Sequence, residues 1–140
     1  MNLERPAHFE IDANYAWFRP VGDIPLADAI DLVGKALGFA AAQGATRILV
    51  VTTGWKGIGV PSLADRYFMV ENFVSVGAAS LKIAMVVSPE VIDPEKFGIT
   101  VARNRGLKAN VFTDEDDARA WLLAGSPGDP GNEGPAPPVA

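Results

Sequence analysis

Two apolar runs constrain this chain more than any other feature. Arg47 to Thr52 (RILVVT) and Leu81 to Val87 (LKIAMVV) are nearly continuous aliphatic segments of strand length. A strand with one wet face alternates apolar and polar residues. A strand that reads apolar throughout is buried on both faces, and such strands lie inside parallel sheets covered by helices. Each run is followed by a segment with helical spacing, so crossover connections and parallel pairing are expected.

The remaining segments extend this pattern. Phe9 and Ile11 alternate with Glu10 and Asp12 as a half-buried strand, and Ala13-Asn14 reads as a turn. Tyr15 to Val21 reads as a second strand, which Pro20 pushes toward a sheet edge. Asp23 is placed to cap a helix with Pro25 in its first turn; Ile30, Val33, Leu37, Ala40 and Ala41 keep helical spacing, and Gly44 ends it. Ser62 opens the next helix with Asp65 three residues on, the form of a capping box. Leu63, Tyr67, Val70 and Val74 are its expected inner face, and Gly77 closes it.

Asp93-Pro94-Glu95 has the composition of a third helix start, with Phe97, Val101 and Ala102 facing inward and Gly106 at the end. Ala109 to Phe112 is a short last strand. Thr113 and Asp114 can cap a final helix that packs through Ala118, Trp121 and Leu122. The order ββαβαβαβα predicts an α/β fold. Its mixed central sheet has about five strands, an N-terminal antiparallel hairpin followed by parallel βα units, with about four helices.

A length of 140 residues suits one domain. The expected boundary falls after residue 124, because residues 125–140 read GSPGDPGNEGPAPPVA and have almost nothing to bury; they are expected to form a disordered tail. With 12 basic and 17 acidic residues the net charge is −5, which speaks against nucleic acid as a partner. There is no cysteine, hence no disulfide, no thiolate nucleophile and no cysteine-ligated metal. The N-terminal MNLERPAHFEIDANY lacks the apolar core of a signal peptide, and no apolar run approaches the roughly 20 residues of a membrane span, so a cytoplasmic location is expected.

The glycine-rich stretch TTGWKGIGVPSLADRY, Thr52 to Tyr67, is the best candidate for function. A dinucleotide fingerprint requires a third glycine where Ser62 stands, and a phosphate-binding P-loop requires Gly-Lys-Ser/Thr, whereas Lys56 stands between Trp55 and Gly57. Thr53-Gly54 is similar to a flavin-phosphate loop, but those loops follow the first strand of their fold, and Thr52 follows the third here. Nucleotide binding is thus a remote alternative, and no cofactor is expected. Gly54, Gly57 and Gly59 also have a plain mechanical reading as turn residues. The position is still suggestive, because open α/β sheets meet ligands at the carboxyl ends of their strands. Trp55 beside Lys56 reads as an exposed contact surface. Arg66, beside Asp65 and Tyr67, can hold an anionic headgroup or a partner carboxylate, or form a surface ion pair with Asp65 or near Glu71.

The strand and helix order resembles the STAS domain, the fold of bacterial anti-sigma-factor antagonists. RILVVTTGWKG, PSLADRYFMVENF, LKIAMVVSPEVIDPEKFGITVARNRG and VFTDEDDARAWL are similar to its SpoIIAA-like branch, over roughly residues 8 to 124. The resemblance implies a protein that binds other proteins rather than catalysing, with a phosphorylated serine at the start of the second helix in the classical antagonists. It also implies small lipid-like ligands between helices and sheet. The classical phosphorylation motif, Asp-Ser-Ser/Thr-Gly-Leu, falls on Gly59-Val60-Pro61-Ser62-Leu63, so the aspartate is missing and the acceptor positions hold Val60 and Pro61. Ser62 remains the candidate phosphoacceptor, against its simpler role as a helix cap.

Other residues carry less. His8, the one histidine, has no nucleophile motif or metal-spaced acids around it. Asp114 to Asp117 are acids that a helix start already favours, and Arg103, Arg105 and Lys108 are bases that a helix end favours. No catalytic or metal-binding set emerges. Tyr67, Phe68, Met69 and Phe73 give the second helix more large apolar residues than one inner face needs, which points to a pocket or to a homodimer contact. The expectation is a non-enzymatic domain that binds an unidentified protein through the Trp55 to Tyr67 surface, or alternatively a small apolar ligand.

Overall fold

The two apolar runs become inner strands of a five-stranded sheet. The computed structural model describes residues 5–13, 15–92 and 96–124, with the side chain of Phe97 outside that set. The expected turn at Asn14, the helix start at Asp93-Pro94-Glu95, the inward side chain of Phe97 and the tail at 125–140 lie outside the described residues. The elements are β1 (Phe9–Asp12), β2 (Tyr15–Phe18), β3 (Gly22–Asp23), α1 (Leu26–Ala42), β4 (Arg47–Val51), β5 (Trp55–Lys56), α2 (Leu63–Ser75), β6 (Lys82–Val86), α3 (Phe97–Asn104), β7 (Lys108–Phe112) and α4 (Glu115–Leu123). The sheet order is β1-β2-β4-β6-β7, and β3 and β5 form a separate two-stranded ribbon.

β1 pairs antiparallel with β2, with Phe9 opposite Phe18, and every other pairing is parallel. The α/β fold with a mixed five-stranded sheet and four helices therefore matches the sequence reading. β2 is not an edge strand, since it lies between β1 and β4. Its ladder ends at Phe18, so Pro20 sits past the paired residues and removes no sheet hydrogen bond.

Each face of the sheet carries its own core, as strand alternation requires. Ala16, Phe18, Ile48, Val50 and Ile83 face α1, α2 and α3, while Leu49, Val51, Ala84, Val86 and Phe112 face α4. On the first face the Phe9 and Phe39 rings meet edge to face at 5.2 Å. On the second, Tyr15, Trp17 and Trp121 pack around Ala118 and Leu122.

Lys82 is a charge hidden in this second core. It is 1% exposed. Its ammonium donates to the carbonyls of Trp121 (2.7 Å) and Ala124 (2.9 Å) and stands 4.5 Å from the centre of the Trp121 ring. A helix leaves its last carbonyls without intrahelical partners, and here a lysine from the sheet takes two of them.

Helix starts follow local chemistry, with two shifts: α3 takes Lys96, in the left-handed conformation and without a side-chain hydrogen bond, as its cap residue instead of Asp93, and α1 also starts late. Pro25 rather than Asp23 takes the cap position of α1, without a side-chain hydrogen bond. Asp23 is committed to β3, where it pairs with Lys56, so the helix begins two residues later. Ser62 caps α2 as expected, and Asp114 caps α4 by accepting from the Asp116 amide. Gly44 and Gly106 follow the ends of α1 and α3 in the left-handed conformation.

The inner face of α2 differs from expectation. Val70 and Phe73 are buried, Leu63 and Tyr67 are exposed, and Val74 is half-buried. The helix is rolled about its axis so that Arg66, Met69, Val70 and Phe73 form the inward stripe toward α3 and the sheet. Among the described residues no helix is long and apolar enough to cross a membrane.

Candidate functional site

The glycine-rich stretch after β4 is clipped down rather than held out. The Gly22 amide donates to the Gly54 carbonyl (3.1 Å) and the Ile24 amide to the Lys56 carbonyl (2.9 Å). Gly54 has no room for a side chain, because a Cβ there would stand 2.7 Å from the Pro20 carbonyl oxygen. This parallel ribbon turns Trp55 inward. Its indole meets the Phe18 ring edge-on at 6.1 Å and is only 8% exposed. The expected exposed contact at Trp55 is therefore corrected: the residue closes one end of the core, and Lys56 beside it is exposed.

Beneath this ribbon lies an apolar cavity of about 130 Å³, between the sheet and helices α1, α2 and α3. Leu26, Ile30 and Val33 of α1, Val70 and Phe73 of α2, and Ile83 and Met85 of β6 supply much of its wall. Thr52, Val87 and Val111 place it at the carboxyl ends of the parallel strands, where such sheets hold ligands. Met85 is half-buried although β6 is an interior strand. Ile58, Arg66, Val91, Ile92 and Lys96 are likewise only partly covered and mark the mouth.

Few polar groups reach this space. The Thr52 hydroxyl donates to the Val86 carbonyl at 3.2 Å and is engaged within the fold. Arg66 runs its aliphatic stem past Gly98, and its Nη2 donates to the Val91 carbonyl at 3.0 Å. Arg66 thus makes no ion pair with Asp65 or Glu71; Asp65 completes the cap with Ser62, and Glu71 meets Arg105 at 2.5 Å. Among the described residues the cavity wall has no carboxylate, histidine or cysteine. No cluster of three metal-ligating side chains occurs among the described residues.

Ser62 and Asp65 form a full capping box: the Ser62 hydroxyl accepts from the Asp65 amide at 3.1 Å, and the Asp65 carboxylate accepts from the Ser62 amide at 2.8 Å. Of the five residues singled out in the stretch, Trp55 and Arg66 line the cavity, and Lys56, Ser62 and Tyr67 do not. Val60, Leu63, Tyr67 and Phe68 are instead exposed large apolar side chains at and just before the start of α2.

Sequence reasoning missed most of the cavity wall. The surplus of large apolar residues on α2 was its one signal, and Met69 and Phe73 do line the space. Lys96 gave none, since it reads as an ordinary surface lysine. Comparison of the chain with protein-family models, with curated proteins and with solved structures finds no match in any of the three.

Proposed function

We propose that this chain is a binding domain rather than an enzyme, of the STAS-like kind its motif order resembles, and that its cavity holds a small apolar ligand. The observation that carries this reading is about 130 Å³ of apolar space left open at the carboxyl ends of the strands. Protein interiors are otherwise packed to the density of organic crystals, and unfilled volume costs stability. A space of this size is comparable with cavities that admit a benzene-sized molecule. The wall offers no acid, base and nucleophile set of the kind catalysis needs among its described residues.

The test is a fluorescent reporter that brightens in apolar surroundings. It should bind at one per chain. Ala109→Phe, which places a ring in the cavity from β7, should abolish that binding while the protein stays folded. A folded wild-type protein that does not take up the reporter overturns the reading.

A second reading, a regulatory contact with another protein or a second copy, rests on the exposure of the large apolar residues Val60, Leu63, Tyr67 and Phe68, with Leu63 54% and Phe68 58% exposed. Sedimentation at micromolar concentration tests the homodimer version. A dimer lost in the double variant Leu63→Ser/Phe68→Ser supports it, and a wild-type monomer removes it.

A further inference from the structure

We infer that the ligand of this cavity is a single-chain amphiphile with an anionic head, seated tail inward with its head at Arg66. The inference rests on the ligand reading above and narrows it to a chemical class.

The first support is charge. The chain carries 17 acidic and 12 basic residues. A wall drawn at random from it would hold more carboxylates than cations. Among the described residues the ionisable side chains of the wall are instead Arg66 and Lys96, both cations. Asp93 and Glu95 flank Lys96 in sequence and lie outside the described residues, so Arg66 carries the argument.

The second support is how the arginines are used. Four of the seven arginines, Arg5, Arg19, Arg105 and Arg119, each meet a glutamate carboxylate within the fold, and of the other three only Arg66 lines the cavity. Arg66 has no carboxylate partner among the described residues, and its one hydrogen bond is to the neutral Val91 carbonyl. A guanidinium presents five N–H donors in a rigid plane, so this bond orients the group and leaves donors for an anion. The stem lies beside Gly98, where an added Cβ would reach ordinary contact distance, 3.6 Å from the Arg66 Cδ. Head and tail then find matching surroundings: the cation stands where solvent enters, and the interior is mostly aliphatic and aromatic, with Thr52 and the buried Asn110 as its uncharged polar side chains among the described residues. A space that admits a benzene-sized molecule takes a tail of about six carbons, so an octyl chain fills it and leaves its last carbons in the mouth beside Arg66.

The experiment is isothermal titration of the full chain with four octyl probes: octanoate, octyl phosphate, octan-1-ol and octylammonium. At least one anion should bind about tenfold tighter than the alcohol, as expected for a charge-assisted hydrogen bond, and the ammonium should bind weakest. The order of octanoate and octyl phosphate identifies the head. Arg66→Gln should erase the anion preference and leave octan-1-ol within about twofold of wild type. Should that variant not fold, Arg66→Lys should keep part of the preference, since it keeps the charge and loses the planar fork. Equal binding of both anions and the alcohol by the wild type overturns the anionic head while leaving the apolar ligand standing, and so does an anion preference that survives Arg66→Gln. Failure of all four probes overturns the ligand reading and this inference with it.

Discussion

Arg19, just past the end of β2, places both terminal nitrogens on the two carboxylate oxygens of Glu115, in the first turn of α4, at 2.5 and 2.6 Å. The pair joins residues 96 positions apart, and Arg119 joins it from the next turn of the same helix. The carboxyl of Glu115 is held below its ordinary value of 4.5, first by its hydrogen bonds from Arg19. Arg119 is raised, first by its hydrogen bond to Tyr15.

This arrangement gives a pH dependence. A carboxyl whose pKa is depressed by folding contributes stability that is complete above its unfolded value and is lost as pH falls through the folded value. The loss thus begins near 4.5 and grows below it. The side chains are 42% and 30% exposed, so solvent screens the pair and its contribution is modest. Glu115→Gln should cost under about 1 kcal/mol near neutral pH. Its thermal midpoint should fall less than that of the wild type between about pH 6 and about pH 3, and added salt should narrow the difference. Thermal melts across that range check both statements.

Trp55 and Lys56 are adjacent and should behave oppositely. Trp55→Ala empties a buried site against Phe18 and should cost about 3–5 kcal/mol, the usual range for a large aromatic removed from a core. Lys56 is exposed, and Lys56→Ala should cost under about 0.5 kcal/mol. Urea denaturation of the two single variants measures the contrast.

Gly54 is required by proximity rather than by an unusual dihedral angle. Its missing side chain lets the ribbon lie against the Pro20 carbonyl, so Gly54→Ala must push two backbone segments apart. The expected cost is about 1–3 kcal/mol, as for other overpacked sites. Faster amide exchange at Gly22 and Ile24, whose hydrogen bonds close the ribbon, should accompany it.

Ser62→Ala should cost about 1 kcal/mol through loss of the capping box, and Ser62→Asp should cost little, because aspartate caps equally well. We propose in addition that Ser62 accepts a phosphate, which the amides of the helix start would stabilise. Phosphosite mapping on protein from its native cells decides this. Persistent absence of phosphate there leaves Ser62 as a cap alone.

What was readable in the sequence follows from what has a period. The inner strands announce themselves because RILVV and IAMV are buried on both faces and read apolar throughout. The cap at Ser62 was legible because its two hydrogen bonds depend only on residues three apart. The ribbon of Gly22–Asp23 with Trp55–Lys56 was not, since two-residue strands have no alternation to detect. Trp55 was read as exposed for that reason. The roll of α2 escaped because Leu63, Tyr67, Val70 and Val74 and the observed inward stripe share the same helical spacing. Only packing against α3 and the sheet chooses between them. An empty volume is a distance between elements, and no residue pattern encodes it.

The buried ammonium of Lys82 has a consequence for the order of synthesis. Lys82 lies in the middle of the sheet, but the carbonyls that receive its protons belong to residues 121 and 124. A nascent chain can be translated through β7 before those acceptors exist. Until then the face of the sheet that α4 covers is bare, and the Lys82 ammonium stays in water; it is the docking of the helix that removes the charge from solvent. The last helix therefore brings the compensation with the cost: the carbonyls of residues 121 and 124 arrive in the same step that buries the ammonium. A chain cut short before Trp121 would leave that lysine solvated and the apolar residues Leu49, Val51, Ala84 and Val86 short of their cover, so its defect would be an exposed apolar face rather than a buried charge.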